Sequence, residues 1–482
     1  MTAAQLHITE RMYNPKSHIA EEFIDDAEIR QTLEYARQNS GNRPLIEGIL
    51  EKAALCKGLS HREAAVLMDC EIPDLVDRTF ALAEEIKRKL YGNRIVMFAP
   101  LYLSNYCVNG CIYCPYHAKN KHIPRRKLTQ EEIRREVTAL QDMGHKRLAL
   151  ELGEHPVQNP IEYVLESIKT IYGIHHRNGD IRRVNINIAA TTVENYRKLR
   201  DAGIGTYILF QETYDKQKYK MLHPTGPKSD YAYHTEAMDR AREGGIDDMG
   251  IGVLFGLSGY RYDLVGLMMH AEHMEAALGV GPHTISVPRI RPADDINPEE
   301  FSDAVPDEKF LHIVAVIRCA VPYTGMIIST RESEKVRKRV LDLGISQISG
   351  ASRTSVGGYT REDRDEQTAQ FDLADKRTLD EVVAWLMELG HIPSFCTACY
   401  RAGRTGERFM KICKGGKILD CCTPNAILTL KEYLLDYASP ETRKLGESLI
   451  AREVEKIDNE TMRASLLKNL QSLEEGKRDL RY

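Results

Sequence analysis

Three cysteines lie within eight residues of one another in the stretch LSNYCVNGCIYCPYHAKN. Cys107, Cys111 and Cys114 follow a C-x3-C-x2-C spacing, and no fourth cysteine comes soon after them. Three thiolates suit a [4Fe–4S] cluster in which one iron has no protein ligand and stays open to a small molecule. The alternative is a zinc site completed by His117 or His122. Structural zinc sites usually pair their cysteines and close the coordination shell, so this spacing does not favour zinc.

A second group of cysteines lies near the C-terminus, in FCTACYRAGRTGERFMKICKGGKILDCC. Cys396 and Cys399 form a C-x2-C pair, and three further cysteines follow within 23 residues. The spacing does not show which of Cys413, Cys421 and Cys422 is the third ligand. A zinc ribbon that uses four of these thiolates is the alternative to an iron–sulfur cluster.

Length and composition restrict the class of protein. The 482 residues suit one large domain with appendages, and the formal net charge of -4 provides no basic field for nucleic acid. The polar, acidic N-terminus does not resemble a signal peptide. No apolar stretch approaches the ~18 residues of a membrane span. We therefore expect a cytoplasmic protein that binds neither nucleic acid nor membrane, in which the two groups of cysteines bind a metal or cluster rather than form disulfides.

Apolar strands alternate with amphipathic helices through the middle of the chain. In the clearest helix, LTQEEIRREVTALQDMG, Thr129 and Glu132 form a capping box. This alternation predicts a (β/α)8 TIM barrel, whose reactive face is the C-terminal end of the strands. A doubly wound sheet is less favoured because no G-x-G-x-x-G follows the first strand. The eight predicted strands are 94–103, 147–152, 184–189, 206–211, 249–255, 284–290, 325–330 and 345–350.

The flanking regions read differently from the barrel. Residues 1–90 show the helical spacing of apolar residues and predict an N-terminal helical extension. Residues 91–385 form the predicted barrel. Residues 386–482 combine the second cysteine group with a charged, strongly helical tail, which predicts a helical, cluster-binding C-terminal region.

The first cysteine motif, placed directly after the first strand and with Tyr113 between its last two cysteines, resembles the signature of the radical S-adenosylmethionine (SAM) superfamily. Leu152-Gly153-Glu154, after the second strand, is similar to the superfamily's GGE element, although its first glycine is leucine here. The resemblance implies that SAM binds the open iron and is cleaved to a 5′-deoxyadenosyl radical. It also implies that Tyr113, Gly153 and Glu154 contact SAM.

Three stretches, YILFQETYD, GVGPHTISVPRIRPA and TGMIISTRES, resemble the superfamily's aromatic amino acid lyases, which cleave the Cα–Cβ bond of tyrosine. A barrel that holds an amino acid needs a cation for the carboxylate. Arg331, at the end of the seventh strand, offers bidentate recognition, and Ser329 offers one more hydrogen bond. Glu212, Arg289 and Arg291 also lie at strand ends and are further candidates for the ligand space.

The C-terminal stretch CTACYRAGRTG resembles the tyrosine-cleaving [FeFe]-hydrogenase maturases. That resemblance selects Cys396, Cys399 and Cys422 as ligands of a second iron–sulfur cluster, which carries an extra, labile iron held by a histidine. The helix LMMHAEHMEAALG offers His270 and His273 on one face. We predict His273 as the ligand.

The resemblance implies an enzyme that converts L-tyrosine to p-cresol and dehydroglycine. Dehydroglycine would then yield CO and cyanide for assembly of the hydrogenase active-site cofactor. A reductant such as flavodoxin or ferredoxin and other hydrogenase maturases would be its partners. One alternative is the tyrosine lyase, or 2-iminoacetate synthase, of thiamine thiazole biosynthesis. Another is a non-catalytic iron–sulfur carrier, which would not need the pocket residues Glu154, Glu212 and Arg331.

Overall fold

The computed structural model describes residues 12–301, 303–361, 368–415 and 418–482. Its first part is entirely helical up to the first barrel strand, as the apolar spacing predicts. The last four of these helices each begin at a recognisable cap or proline; for example, Ser60 caps the fourth in a capping box with Glu63. The five helices are α1 (Ala20–Phe23), α2 (Asp26–Gln38), α3 (Arg43–Ala54), α4 (His61–Asp69) and α5 (Pro73–Tyr91).

Eight parallel strands form a closed barrel, and the prediction of a TIM barrel is confirmed. The barrel closes where Val96 to Phe98 of the first strand pair with Gln347 to Ser349 of the eighth. The strands are β1 (Arg94–Ser104), β2 (Arg147–Leu152), β3 (Arg183–Asn187), β4 (Tyr207–Glu212), β5 (Met249–Val253), β6 (Thr284–Ser286), β7 (Gly325–Ile328) and β8 (Gln347–Ser349).

Helices connect the strands and cover the outside of the barrel. A small hairpin pairs His175–His176 with Gly179–Asp180 before β3. The connecting helices are α6 (Gln130–Asp142), α7 (Ile161–Tyr172), α8 (Val193–Asp201), α9 (Lys216–Leu222), α10 (Tyr231–Thr235), α11 (Ala237–Glu243), α12 (Tyr260–Leu278), α13 (Asp307–Ala320), α14 (Glu334–Leu343) and α15 (Leu379–Glu388). Helices α4 and α5 pack against α12 and α13, so the N-terminal helices belong to the outer layer.

A ninth strand, β9 (Ile392–Ser394), pairs in parallel with Arg94 to Val96 of β1. The sequence did not predict it, because it has three residues and contains Pro393. The chain continues into α16 (Ala398–Arg401), α17 (Gly406–Lys414), α18 (Ile418–Asp436), α19 (Pro440–Glu455) and α20 (Glu460–Glu474). Because β9 lies at the amino end of β1, it carries the second cysteine group to the barrel face opposite the first.

Five of the predicted strands, the third, fifth, sixth, seventh and eighth, are shorter than expected. The sixth ends at Ser286 rather than at residue 290, and the fifth ends at Val253 rather than at residue 255. Beyond Ser286 the chain stays extended but includes Pro288, which has no backbone N–H to continue the ladder. The division into regions 1–90, 91–385 and 386–482 remains a prediction.

Candidate functional site

The first cysteine loop lies at the carboxyl end of the barrel, directly after β1. Its backbone is fixed on two sides: the Val108 N–H donates to the Glu154 carbonyl oxygen at 2.8 Å, and the Gly110 N–H donates to the Thr225 oxygen at 2.9 Å. These bonds join the loop to the segments that follow β2 and α9. A cavity of about 160 Å³ opens beneath the loop, and its lining includes Cys107, Cys111 and Cys114.

Gly153 and Glu154 line the same cavity, next to the cysteines. A Cβ atom on residue 153 would lie 2.4 Å from the Tyr106 carbonyl oxygen and 2.9 Å from the Cys107 Cβ, so glycine is required there. The Asn109 amide donates to the Glu154 carboxylate at 2.7 Å and lies 3.7 Å from the Cys107 sulfur. Burial raises the pKa of Glu154. The element after β2 therefore packs directly against the cysteine loop and holds Glu154 beside the thiols.

A buried ion pair lies beside the cysteines. The Lys228 ammonium lies 2.7 Å from the Glu212 carboxylate, and both side chains line the cavity. Glu212 adopts a left-handed backbone conformation with a φ of 69°, which is rare for a residue with a side chain. Burial raises the pKa of Cys111 to about 12, and the charge of Lys228 opposes this rise. Lys228 was not a sequence candidate, because it lies in a three-residue 3-10 helix, Pro227–Ser229, which has no periodic pattern.

Tyr113 is buried between the last two cysteines of the motif. Its hydroxyl group lies 2.7 Å from Nε2 of His223. Its ring and that of His223 meet edge to face, with centroids 5.3 Å apart. Tyr113 is therefore fixed at the cavity wall, where the superfamily resemblance expects it.

The donor set of this cavity suits an iron–sulfur cluster better than zinc. His117 pairs with Asp295 at 3.2 Å, and His122 is largely exposed near Asp294. Among the described residues, no three Cys, His, Asp or Glu side chains converge as the ligands of one metal ion must. Thiolates that bind different irons of a cluster lie farther apart. Three thiols beside a buried cation therefore fit an anionic cluster.

Deeper in the barrel, a cavity of about 100 Å³ is lined by Ser329 and Arg331. The Arg331 guanidinium lies 3.6 Å from the centroid of the Phe371 ring. Burial lowers the pKa of Arg331, with partial compensation from Tyr102 and Glu212. Arg331 also lines the cavity beneath the first cysteine loop, which we call the upper cavity. Its charge is therefore available to a ligand that lies between the two cavities. This arrangement suits recognition of a carboxylate.

Glu151 lines both cavities and was missing from the sequence candidates. Burial raises its pKa to about 8, opposed by the charge of Arg331 and a hydrogen bond with Asn187. The alternation in RLALEL turns Leu148 and Leu150 outward toward the helices and Glu151 inward. The alternation is visible in the sequence, but the strand is so apolar that it does not draw attention to its one carboxyl group.

The two arginines that follow β6, Arg289 and Arg291, have different surroundings. Arg291 lines the upper cavity and pairs with Glu332 at 2.5 Å. The prediction for Arg289 is wrong: its Nε donates to Glu332 at 3.0 Å, its Nη1 donates to the Val305 carbonyl oxygen at 2.8 Å, and it lies 2.9 Å from Asp307. Because the strand ends at Ser286, regular alternation no longer fixes the direction of either side chain.

The second cysteine group surrounds a cavity of about 50 Å³ at the amino end of the barrel. Its lining includes Cys396, which follows β9, Cys399 in α16, and Cys422 in the second turn of α18. Cys413 is buried in the hydrophobic core, and neither it nor Cys421 lines the cavity. The three thiols that the resemblance selects are thus brought together.

Two buried arginines border this second cavity. Arg147 Nη2 donates to the Cys396 carbonyl oxygen at 2.7 Å, whereas Nε of Arg94 and Nε of Arg147 are buried without hydrogen-bond partners in the described part of the chain. A hydrogen bond with the Cys422 thiol lowers the pKa of Cys399 to about 6, and the charge of Arg404 adds to this effect. Cations with unused donors around thiolates fit a bound anionic cluster.

The histidine prediction is corrected by the structure. His273 lies outside the barrel on α12, stacked on Phe23, with Nδ1 3.0 Å from the Pro15 carbonyl oxygen and Nε2 3.0 Å from Asp239. Both ring nitrogens are therefore engaged far from the cysteines. His270 is no substitute, because it lies on the same helix, with its ring centroid 6.1 Å from that of His273, and does not line the second cysteine cavity.

The imidazole that lines the second cavity belongs to His283, just before β6. Its Nε2 lies 3.3 Å from the Tyr400 hydroxyl group, and its Nδ1 lies 3.2 Å from Asp248. No sequence pattern selects His283, because the pairing of β9 with the amino end of β1 was not predictable. That pairing decides which barrel face the C-terminal cysteines occupy.

A closed parallel barrel with a three-cysteine motif after its first strand defines the class of protein. The radical SAM superfamily matches residues 101–269, and the biotin and thiamin synthesis associated domain matches residues 286–392. The 2-iminoacetate synthase of Salmonella typhimurium (strain LT2) is 30% identical over 346 residues, which are 71% of this chain and 89% of that protein. The chain therefore belongs to the radical SAM superfamily.

Within the superfamily, the chain is similar to solved structures of HydG. A crystal structure of HydG, a maturase of the [FeFe]-hydrogenase, is 55% identical, with a TM-score of 0.92 over 95% of this chain and 100% of that chain. HydG from Carboxydothermus hydrogenoformans is 39% identical, with a TM-score of 0.82 over 94% and 100%. The resemblance predicted from the motifs is confirmed. Among the described helices, none combines the length and apolarity that crossing a membrane requires.

Proposed function

We propose that this radical SAM enzyme is a lyase that cleaves the Cα–Cβ bond of L-tyrosine to give p-cresol and dehydroglycine. Dehydroglycine is then converted to CO and cyanide at the second cysteine site, for assembly of the [FeFe]-hydrogenase active-site cofactor. The observation that carries the proposal is the presence of two three-cysteine cavities at opposite ends of one barrel. The similarity to HydG supports it.

The residues of the first cavity would hold a [4Fe–4S] cluster and SAM. Cys107, Cys111 and Cys114 are its thiolate donors. The bound group supplies a 5′-deoxyadenosyl radical by reductive cleavage of SAM. Glu154, held by the Asn109 amide, accepts a hydrogen bond from the SAM ammonium group.

The deeper residues orient the amino acid. Arg331 binds the tyrosine carboxylate, Ser329 donates one further hydrogen bond, and Arg291 adds positive charge at the upper rim. The closed barrel excludes water and retains reactive fragments between the two sites. Glu151 is the carboxyl group facing this space.

The second site receives the fragment through the barrel interior. Gly325 and Gln347 line the cavity of the second cysteine group. Ile327 and Ser349, two residues further along the same strands, line the cavity that contains Ser329 and Arg331. At about 3.3 Å per residue, less than 7 Å of strand separates the two linings. Cys396, Cys399 and Cys422 hold the second cluster, and His283 rather than His273 is the imidazole available to its labile iron.

Anaerobic incubation of the reconstituted protein with SAM, tyrosine and dithionite tests the lyase. We expect p-cresol in the extract, and its absence would refute the lyase. The double variant Cys396→Ala/Cys399→Ala separates the two halves of the proposal. It should still release p-cresol but give no iron–carbonyl bands in the infrared spectrum.

A second candidate is the 2-iminoacetate synthase of thiamine thiazole biosynthesis, favoured by the 30% identity to the Salmonella enzyme. In that case the C-terminal cysteines would be structural. Iron analysis with EPR separates the candidates, because one cluster per chain favours the thiazole enzyme and two favour the maturase. A cytoplasmic location, a flavodoxin or ferredoxin as reductant and other hydrogenase maturases as partners complete the proposal.

A further inference from the structure

Three side chains form a row across the inner face of the barrel, where the upper cavity meets the deeper cavity that contains Ser329. Glu151 of β2 lies opposite Tyr102 of β1 and opposite Asn187 of β3 in the strand register. All three side chains line both cavities. The row therefore places one carboxyl group, between a phenol and an amide, at the junction of the two cavities.

Arg331 lies at the same junction, because it also lines both cavities. Its charge acts on Glu151, since it opposes the rise in the pKa of that carboxyl group that burial causes. Within the described part of the chain, Glu151 forms no ion pair and hydrogen-bonds with Asn187. An amino acid has only one carbon atom between its carboxylate and its ammonium group. A carboxylate bound by Arg331 therefore brings the ammonium group to the junction that Glu151 lines.

The other carboxyl groups of the upper cavity are placed differently. Glu154 and Glu212 line the upper cavity, beside the thiols, but not the deeper cavity. Glu212 is already paired with the Lys228 ammonium group at 2.7 Å. Among the described residues, Glu151 is thus the carboxyl group that faces both the space near the thiols and the space near Arg331.

The proposed products require the amino group of tyrosine to lose a proton as well as a hydrogen atom. The ammonium nitrogen of tyrosine carries three hydrogens, whereas the imine nitrogen of neutral dehydroglycine carries one. One of the two that are lost leaves as a hydrogen atom, so the other must leave as a proton. Because a closed barrel excludes water, that proton needs an acceptor on the protein.

We propose that the Glu151 carboxylate binds the ammonium group of tyrosine and removes one of its protons, which leaves a neutral amino group. One N–H bond of the substrate breaks and one O–H bond forms on Glu151, so the positive and the negative charge disappear together. The inference rests on the proposed function, because it needs tyrosine to lie between the two cavities. A raised pKa suits this role, since a general base works best when its pKa lies near the operating pH.

The titratable groups that face Glu151 come from three other segments: Tyr102 on β1, Tyr116 in the first cysteine loop and Arg331 after β7. Burial raises the pKa of both phenols well above 10, and the charge of Glu151 adds to this rise. Burial lowers the pKa of Arg331, but the guanidinium stays charged near neutral pH. Glu151 is therefore the group of this set that changes its charge near neutral pH.

Proton release on binding tests the contact without turnover. In the free protein at pH 7, Glu151 keeps its proton because its pKa is about 8, and free tyrosine carries an ammonium group. Their complex has one proton fewer than the separate partners. Titration calorimetry counts this proton when the reconstituted protein, with SAM but no reductant, is studied in buffers of different ionisation heat. We expect the wild type to release about one proton per tyrosine and Glu151→Gln to release none.

The matched control is Glu453→Gln, because it removes another buried carboxyl group, on α19, where Glu453 pairs with Lys456. This variant should release the same number of protons as the wild type. Equal proton release by the wild type and Glu151→Gln would overturn the proposal.

Two analogues of tyrosine identify the group that Glu151 contacts. Desaminotyrosine lacks the amino group, and phenylalanine lacks the phenol hydroxyl group. Glu151→Gln should weaken the binding of tyrosine and phenylalanine alike, by about tenfold, because both lose a charge-assisted hydrogen bond. Desaminotyrosine should bind both proteins equally. Weakening confined to tyrosine and desaminotyrosine would place Glu151 at the phenol and overturn the proposal.

Turnover with dithionite provides a second measurement. At pH 7, Glu151→Gln should form p-cresol about 100-fold more slowly than the wild type, since a positioned base contributes at least that much. The difference should narrow as the pH rises, because the ammonium group of tyrosine then loses its proton in solution. A difference that does not change with pH would contradict the role of Glu151 as a base. Absence of p-cresol from the wild type would count against the proposed function instead, and proton release would still decide whether Glu151 binds the ammonium group.

Discussion

The Nδ1 atom of His283 lies 3.2 Å from Oδ1 of Asp248, a buried carboxylate that also accepts a hydrogen bond from the Gly406 N–H at 3.0 Å. The contact is one of charge rather than a hydrogen bond, because Nδ1 has no hydrogen-bond partner in the described part of the chain, whereas Nε2 lies 3.3 Å from the Tyr400 hydroxyl group. A carboxylate behind a histidine is the usual way in which proteins orient a metal-binding imidazole. The other oxygen, Oδ2, is buried without a partner in the described part of the chain, so this position is costly for folding alone.

Replacing Asp248 with asparagine should weaken the hold of the second site on its extra iron. An amide lacks the negative charge that faces the imidazole, and loss of a carboxylate partner behind a metal-binding histidine typically costs about 10- to 100-fold in metal affinity. Iron content after gel filtration measures the effect, and p-cresol formation should be unchanged. Asp247→Asn is the matched control, because Asp247 is half exposed and pairs with Arg242. Equal iron retention in both variants would contradict the role of Asp248.

Arg331 and Arg289 should respond differently to replacement by glutamine. Arg331→Gln removes the buried guanidinium from the substrate cavity, and loss of a charge-assisted pair worth about 2 kcal/mol raises the KM for tyrosine roughly 30-fold. Arg289→Gln breaks the buried pair with Glu332, so it should lower the melting temperature without a comparable rise in KM. Steady-state kinetics and thermal unfolding of both variants check the distinction. A larger KM effect for Arg289→Gln would restore it as a substrate residue.

Glu151 should make the stability of the apo protein depend on pH. Its pKa is raised by burial to about 8 in the folded chain, against an ordinary value of about 4.5. Between these values the unfolded chain has lost the proton that the folded chain keeps, so stability falls by about 1.4 kcal/mol per pH unit and then levels off. Urea midpoints of wild type and Glu151→Gln from pH 5.5 to 8.5 measure this contribution. Parallel curves for the two proteins would refute the raised pKa.

Gly325 should be needed for transfer between the two sites. A Cβ atom there would lie 2.7 Å from Nε2 of Gln347 and 3.2 Å from the His283 carbonyl oxygen, on the inner face of the barrel. The variant Gly325→Val should therefore keep p-cresol formation and lose the infrared bands of the iron–carbonyl product. Gly48→Ala, which meets no atom within 4 Å, is the control. Unchanged product bands in Gly325→Val would contradict an interior route.

The barrel could be predicted well because the patterns that indicate its strands and helices are local in the sequence. Each of the eight strands has a run of apolar residues, and each connecting segment has helical spacing, so the fold followed from repetition. The first site was predictable for the same reason: Cys107, Cys111 and Cys114 are close in the chain, and Gly153 and Glu154 directly follow a strand.

The errors arise where position depends on distant pairing. The sequence pattern favours His273 over His270 because a helical pair is visible in sequence, whereas the place of His283 beside the second cysteines depends on three residues of β9 pairing with β1. Arg289 was misjudged because β6 ends early. Lys228 acquires its role only through contact with Glu212, a residue 16 positions away.

The pairing of β9 with β1 has a consequence for any attempt to shorten the protein. One edge of β1 pairs with two different strands. Its carboxyl half pairs with β2, after which the chain reaches Gly153 and Glu154, and its amino half pairs with β9, after which the chain reaches Cys396. Cutting the chain before β9 would leave the backbone N–H and C=O groups of Arg94 to Val96 without those partners. This unpaired strand edge could then form hydrogen bonds with a strand of another chain. The product of such a cut would be an aggregation-prone barrel rather than a smaller lyase.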